Sequence, residues 1–347
     1  MELNKIYQGH ALEVLKDFPD EVVDCVITSP PYFNLRNYET TPMVWDGDPN
    51  CEHDWGEPIH TGQTSAQTKY KAAKDAFTQT CGQFCMNCGA WLGELGGEPS
   101  MQLFIKHLCD IFDEVKRVLK PTGVLFVVIN DSYNNSSMVK ALPQKCMVNI
   151  PARFAMEMTD NRGWIQRNLI VWHKPNALPQ SVTDRFTHDY ESVYFFSKEG
   201  KYYFDQQLEE YTGPINRWGG QFVKGNGVSL WDEGTGQSTY TRPRDLRPNP
   251  DGRNMRTVVS INTESFPGAH FAVFPKKLVR PLLKAGCPED GLVLDPFIGS
   301  GTTAIVAYEE GRNWIGIELN TEFRDLAIGR INKETNQAYN LLNDHGF

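Results

Sequence analysis

Leu292-Val293-Leu294-Asp295-Pro296-Phe297-Ile298-Gly299-Ser300-Gly301-Thr302-Thr303 opens with a short β-prone run, turns on two glycines, and enters an apolar stretch that reaches Tyr308 and stops near Gly311. The order is strand, glycine loop, helix. Trp314-Ile315-Gly316-Ile317-Glu318 follows as a second strand and ends on an acid, with Leu319 and Asn320 beside it. A carboxylate about 20 residues beyond a glycine turn, at the end of the next strand, is placed to accept hydrogen bonds from ribose hydroxyls. The loop lacks the Lys-Ser or Lys-Thr ending that serves a triphosphate, so a nucleoside without one suits it better. Read alone, Gly299 and Gly301 also suit an ordinary tight turn, with Glu318 a solvated strand end.

Far upstream, the strand-like run Val22-Val23-Asp24-Cys25-Val26-Ile27 leads into Thr28-Ser29-Pro30-Pro31-Tyr32. The prolines remove backbone donors and fix φ, which stiffens the turn. Such a turn can hold Ser29 and the Pro30 carbonyl as acceptors facing a planar amino group, with Tyr32 available to stack on a base. Each motif follows an apolar strand, so each can sit at the carboxyl edge of a sheet, where open α/β folds bind ligands. Together they suggest one cofactor pocket, for which S-adenosylmethionine is a fitting nucleoside, and one reaction pocket for an exocyclic amine.

On these residues the chain resembles the amino-methylating DNA methyltransferases, which modify cytosine N4 or adenine N6. Its Thr-Ser-Pro-Pro-Tyr form is similar to that of cytosine-N4 enzymes, whereas adenine-N6 enzymes more often carry Asp or Asn in place of Ser29. The order, catalytic motif before cofactor motif, resembles the permuted beta group. Ile6 to Leu15 resembles the segment that closes the permuted cofactor site, with His10 where many relatives have an acid. Gly123 to Tyr133 and Ile170 to Asn176 read as two more strands with their loops, and Phe271 to Leu283 resembles the helix before the cofactor strand.

The resemblance implies an α/β fold with a Rossmann-like, S-adenosylmethionine-dependent methyltransferase sheet and helices on both faces. It implies catalysis at Ser29, Pro30, Pro31 and Tyr32 on a base flipped out of the duplex. Cofactor contacts are implied at His10, Thr28, Phe271, Pro275, Asp295, Pro296, Phe297, Gly299, Ser300, Gly301, Thr302, Glu318, Leu319 and Asn320. Residues 1–38 and 99–204 form the expected catalytic half, and 266–347 the cofactor half.

At 347 residues the chain can hold one large α/β domain plus an added module. It has no run of 18 apolar residues and no basic, then apolar, start, so neither a membrane span nor a signal peptide is indicated and the cytoplasm of a bacterium, or a phage origin, is expected. A net charge of -9 does not advertise a nucleic-acid binder, so DNA contact must be local. Residues 212–256 carry Arg217, Lys224, Arg242, Arg244, Arg247, Arg253 and Arg256 against Asp232, Glu233, Asp245 and Asp251, a local +3 in Gly- and Pro-rich sequence. In the resembled family this interval, 205–265, holds a loop-rich target-recognition region, and arginine forks suit guanine and phosphate. A solvated loop without readout is the alternative.

Cys25, Cys109, Cys146 and Cys287 read as core thiols. Cys51, His53, Cys81, Cys85 and Cys88 instead cluster in a segment, 39–98, that interrupts the α/β pattern. Cys85-Met86-Asn87-Cys88-Gly89 is a zinc-knuckle turn and Cys51-Glu52-His53 a second close pair. Cys51, His53, Cys85 and Cys88 are the expected ligands of a structural zinc, with Cys81 a substitute for His53; a metal-free insertion is the alternative. Met101 to Leu119 predicts a helix that stops at Pro121 and Gly123, with His107 a packed or surface histidine on it.

Three other readings stay open at this level: adenine N6 as target, a protein glutamine or RNA amine as target, and a zinc-bearing DNA-binding protein with an inactive core. The resemblance also raises a homodimer, since permuted enzymes often pair. Recognition sequence and a cognate restriction endonuclease are not legible.

Overall fold

The computed structural model describes residues 1–34, 40–61, 79–134, 142–211, 251–264 and 273–336. The chain divides into two compact units, Met1–Asp205 with Thr257–Phe347, and Gln206–Arg256. In chain order the elements are β1 (Lys5–Gln8), α1 (Ala11–Lys16), β2 (Val23–Thr28), β3 (Met43–Trp45), β4 (Ile59–Thr61), β5 (Gln79–Phe84), β6 (Trp91–Gly93), α2 (Met101–Val118), β7 (Leu119–Ile129), α3 (Ile150–Asp160), β8 (Ile165–His173), β9 (Tyr190–Ser197), β10 (Leu208–Glu209), β11 (Arg253–Asn254), β12 (Val258–Ser260), α4 (Lys276–Gly286), β13 (Leu292–Asp295), α5 (Thr302–Glu309), β14 (Asn313–Glu318) and α6 (Thr321–Thr335).

The large unit is built on an eight-stranded sheet in the order β1-β14-β13-β2-β7-β9-β8-β12. Every neighbouring pair is parallel except β7 with β9 and β8 with β9, so β9 alone runs against the rest. Central strands read as continuous apolar runs because both faces are covered. Val26, Leu125, Val127 and Ile129 share a core with Leu108, Ile111 and Phe112 of α2 and Phe154 of α3. The opposite face, with Cys25, Val124 and Phe126, meets α4 at Gly286.

Helix α2 starts on Ser100, whose hydroxyl accepts from the Leu103 N–H (3.2 Å), and it buries the predicted stripe through Val118. It ends one residue earlier than the spacing predicts. Leu119 is already extended and pairs with Val23, and the ladder resumes only at Val124 opposite Cys25. Residues 120–123 are thus looped out as a bulge, the place in a strand where Pro121, lacking a donor, is tolerated.

Within residues 39–98 the chain forms a separate antiparallel sheet in the order β3-β6-β5-β4. One tie to the core is His107 of α2, which is wholly buried. The ring stacks on Trp45 and Trp91, with centroids at 4.4 and 5.5 Å. Its nitrogens meet Glu98 (3.1 Å) and Asp46 (3.2 Å).

The small unit holds the β10–β11 ribbon. Among the described residues no helix is long and apolar enough to cross a membrane.

Candidate active site

Strands β2 and β13 are parallel neighbours, in register at Cys25 with Val293 and Val26 with Leu294. The two motifs that follow them are far apart in the chain, Thr28 and Asp295 being separated by 267 positions, yet they leave the same sheet edge side by side. Asp295 couples them. Its carboxylate accepts from the Thr28 hydroxyl (2.6 Å), the Thr303 hydroxyl (2.7 Å) and the Phe297 N–H (3.1 Å). Thr28 and Asp295 are completely buried, so they shape the floor beneath the loops. Burial pushes the Asp295 carboxyl up to about 6, against the hydrogen bonds that favour its charge.

The glycine loop is held from three sides. Gly301, in the left-handed region at φ 80°, starts α5, and a Cβ there would lie 3.0 Å from Ile331. Glu318, at the end of β14, accepts from Gly299 N–H and Asn320 N–H, each at 3.0 Å, and burial raises its pKa. Asn320 in turn caps α6 by accepting from Glu322 N–H (2.8 Å) and Phe323 N–H (3.3 Å). Arg330 of α6 donates to Ser300 O (3.2 Å), Ser300 Oγ (3.0 Å) and Thr302 Oγ1 (2.9 Å). The first strand joins here too: Gly9 N–H donates to Glu318 O (3.0 Å) and Gln8 Nε2 to Leu319 O (2.6 Å). Pro296 is buried, Phe297 half-buried, and Pro275 opens α4.

In the other loop, Ser29 Oγ lies 3.0 Å from Tyr32 Oη, which donates to Glu191 Oε2 at 2.9 Å. Glu191 also pairs with Lys174, both side chains being largely buried. Because β9 runs backwards, its first residues lie at the carboxyl edge of the other strands, which brings Glu191 to the site. Neither Glu191 nor Lys174 was singled out by the motifs; the available signal was an acid, Glu191, at the start of a run that continues as the apolar Val193–Phe196. Nearby on the same edge, His188 Nε2 meets Asn130 Oδ1 at 3.0 Å. The insertion buttresses this loop: Asn34 N–H donates to Gly96 O (2.7 Å), and a Cβ on Gly96 (φ 93°) would lie 3.1 Å from Tyr32 O.

Cys51, His53, Cys85 and Cys88 come together with all ligand atoms within 4.8 Å of one another. Cys51 Sγ is 3.9 Å from Cys85 Sγ, and Cys88 Sγ is 3.5 Å from His53 Nδ1. A tetrahedral ion with bonds of about 2.3 Å to sulfur and about 2.05 Å to nitrogen would put these edges at about 3.8 and about 3.6 Å. The donor set and its spacing therefore fit zinc. The knuckle is closed by Gly89 N–H to Cys85 O (2.9 Å) and Cys85 N–H to Ala90 O (2.7 Å). Cys81 lies in β5, and its side chain is outside the described residues.

The DNA methylase family matches residues 23–329. The chain belongs to that family. Among its relatives, this DNA methylase is 31% identical to the type II methyltransferase M.Cfr9I of Citrobacter freundii, over 96% of this chain and 90% of that one. It is equally identical to M.SmaI of Serratia marcescens, over 94% and 90%. The fold matches the cytosine-N4-specific PvuII DNA methyltransferase with a TM-score of 0.56 at 20% identity, covering 96% of this chain and 91% of that one. It also matches a putative DNA modification methylase of Thermus thermophilus, complexed with S-adenosyl-L-methionine, with a TM-score of 0.52 at 20% identity and 95% coverage of both. The protein is thus an S-adenosylmethionine-dependent amino-methyltransferase, with the mostly parallel α/β sheet of that class.

In this DNA methylase His10 stands at the start of α1, where its Nδ1 accepts from Leu12 N–H (3.2 Å) and its ring meets Trp45 edge-on. Burial pushes its pKa down to about 4. A histidine held neutral contributes stability that is full above its unfolded pKa of about 6.5 and is lost as pH falls through about 4. His10→Asn, which keeps a capping oxygen and cannot titrate, should therefore gain up to about 3 kcal/mol on the wild type between those pH values. Denaturant unfolding of both proteins across that range checks it; parallel curves would refute it.

Phe271, Arg217, Lys224, Arg242, Arg244 and Arg247 lie outside the described residues. Arg253 and Arg256 both donate to Glu209 Oε1 in the small unit, at 2.8 and 2.5 Å.

Proposed function

We propose that the protein methylates N4 of cytosine at a specific site in duplex DNA. The observation that carries this choice is Ser29: a neutral hydroxyl, tied to Tyr32, stands at the position before the two prolines. Ser29 Oγ and the Pro30 carbonyl accept the two hydrogens of the exocyclic amine and turn its lone pair toward the methyl donor. The Tyr32 ring stacks on a base removed from the duplex, since chemistry on a base requires taking it out of the stack. S-adenosylmethionine, held by the glycine loop and Glu318, supplies a methyl group on a positively charged sulfur. Positioning then provides most of the acceleration, because the leaving group needs no further activation.

The other assignments follow from this reading. Residues 205–265 read the target, and Glu209 holds Arg253 and Arg256 together within that region. Residues 39–98 bind zinc through Cys51, His53, Cys85 and Cys88, and the ion is structural because four protein ligands leave no open position.

The test is to incubate the protein with mixed-sequence duplex DNA and labelled S-adenosylmethionine, digest to nucleosides, and identify the product by mass spectrometry. N4-methylcytosine is expected. N6-methyladenine would overturn the use of Ser29 to assign the base.

A further inference from the structure

Hydroxyl groups have one proton each, so a chain of them has a direction, and what terminates it decides which way it points. Here the terminus is a carboxylate. Glu191 Oε2 can only accept from Tyr32, at 2.9 Å, which commits the single phenolic proton to Glu191. The Tyr32 oxygen is then an acceptor toward Ser29 Oγ, 3.0 Å away. On the other side Lys174 holds Glu191, and both are tucked into the protein, with side chains 14% and 8% exposed. Lys174 is itself fixed, its ammonium over the Trp172 ring at 4.6 Å and its backbone N–H donating to Asp189 O at 2.7 Å. A buried carboxylate so paired stays in place because losing its partner would leave a bare charge.

We propose that Glu191, anchored by Lys174, is a positioning residue that sets the polarity of the Glu191–Tyr32–Ser29 chain. Ser29 Oγ–H donates a hydrogen bond to Tyr32 Oη, and Ser29 presents its lone pairs to the substrate. A free serine hydroxyl would spend part of its time pointing its proton at the amine, where a donor is useless. The chain removes that orientation, and successive bonds polarise the Ser29 oxygen further. This inference rests on the reading of Ser29 as the acceptor for the exocyclic amine.

The experiment is a double-mutant cycle on the full-length protein with Tyr32→Phe, which keeps the ring but breaks the chain, and Glu191→Leu. Turnover on duplex DNA, S-adenosylmethionine affinity and thermal stability are measured for each. Each single variant should lose about 10- to 100-fold in kcat with cofactor affinity unchanged, and the double variant should be no worse than the poorer single one. Glu191→Gln, which keeps an acceptor, should recover part of the loss. Multiplying effects, or a Tyr32→Phe enzyme with wild-type kcat, would overturn the proposal; the second result decides even if Glu191→Leu fails to fold. A wild type that methylates no DNA amine would instead defeat the reading of the reaction.

Discussion

Tyr32→Ala should lower kcat for DNA methylation by at least about 100-fold while changing S-adenosylmethionine affinity less than about twofold. The ring is worth about 1–3 kcal/mol in stacking on a base, and its loss also strands Glu191, which now accepts from Tyr32 at 2.9 Å. An orienting error of about 1 Å at a reacting atom can itself cost about 100-fold. The cofactor loop has its own supports, Glu318 on Gly299 and Arg330 on Ser300 and Thr302, so binding should survive. Calorimetric titration of the cofactor beside single-turnover methylation separates the two. Near-normal turnover would eliminate Tyr32 as the stacking residue.

The second large effect is expected from metal removal. Structural zinc contributes roughly 10 kcal/mol or more to the fold it closes, here the end of the small sheet β3-β6-β5-β4 away from Trp45 and Trp91, which are packed into the main core. Purified protein should contain one zinc per chain, and Cys85→Ser or a strong chelator should lower both thermal stability and methylation, the latter by about tenfold or more. The path is short. Cys85 follows β5, β5 pairs with β6 through Phe84 and Trp91, and the next turn puts Gly96 against Tyr32. Activity should return when zinc is restored to chelated protein. Protein that carries no zinc and ignores the chelator would refute the metal site.

Much of this site was readable because its chemistry is written in short runs. Strand-glycine-helix, Ser-Pro-Pro-Tyr and the paired cysteines are each local, and local patterns report local geometry. That Cys51 and His53 meet Cys85 and Cys88 was an inference from ligand count, and the structure brings those four together. What was not legible depends on contacts between distant residues. Glu191 reaches Tyr32 only because β9 runs antiparallel to its neighbours, Arg330 reaches Ser300 from the helix after β14, and His107 joins Asp46 and Glu98 across the insertion. No spacing rule encodes such meetings. The helix end at Val118 was missed for a related reason: pairing of Leu119 with Val23 overrides the local preference of the chain before Pro121.

The strand order β1-β14-β13-β2 has a consequence for how the molecule is made. Two strands that leave the ribosome early, β1 and β2, flank a slot filled by two that leave it late. At about 5–20 residues per second, β2 waits on the order of tens of seconds for β13. Until then it offers an open edge to any passing strand, a hazard for aggregation, and its Ser-Pro-Pro-Tyr turn faces no glycine loop. A chain cut short before residue 292 would thus carry the Ser-Pro-Pro-Tyr turn without the strand and glycine loop that stand beside it.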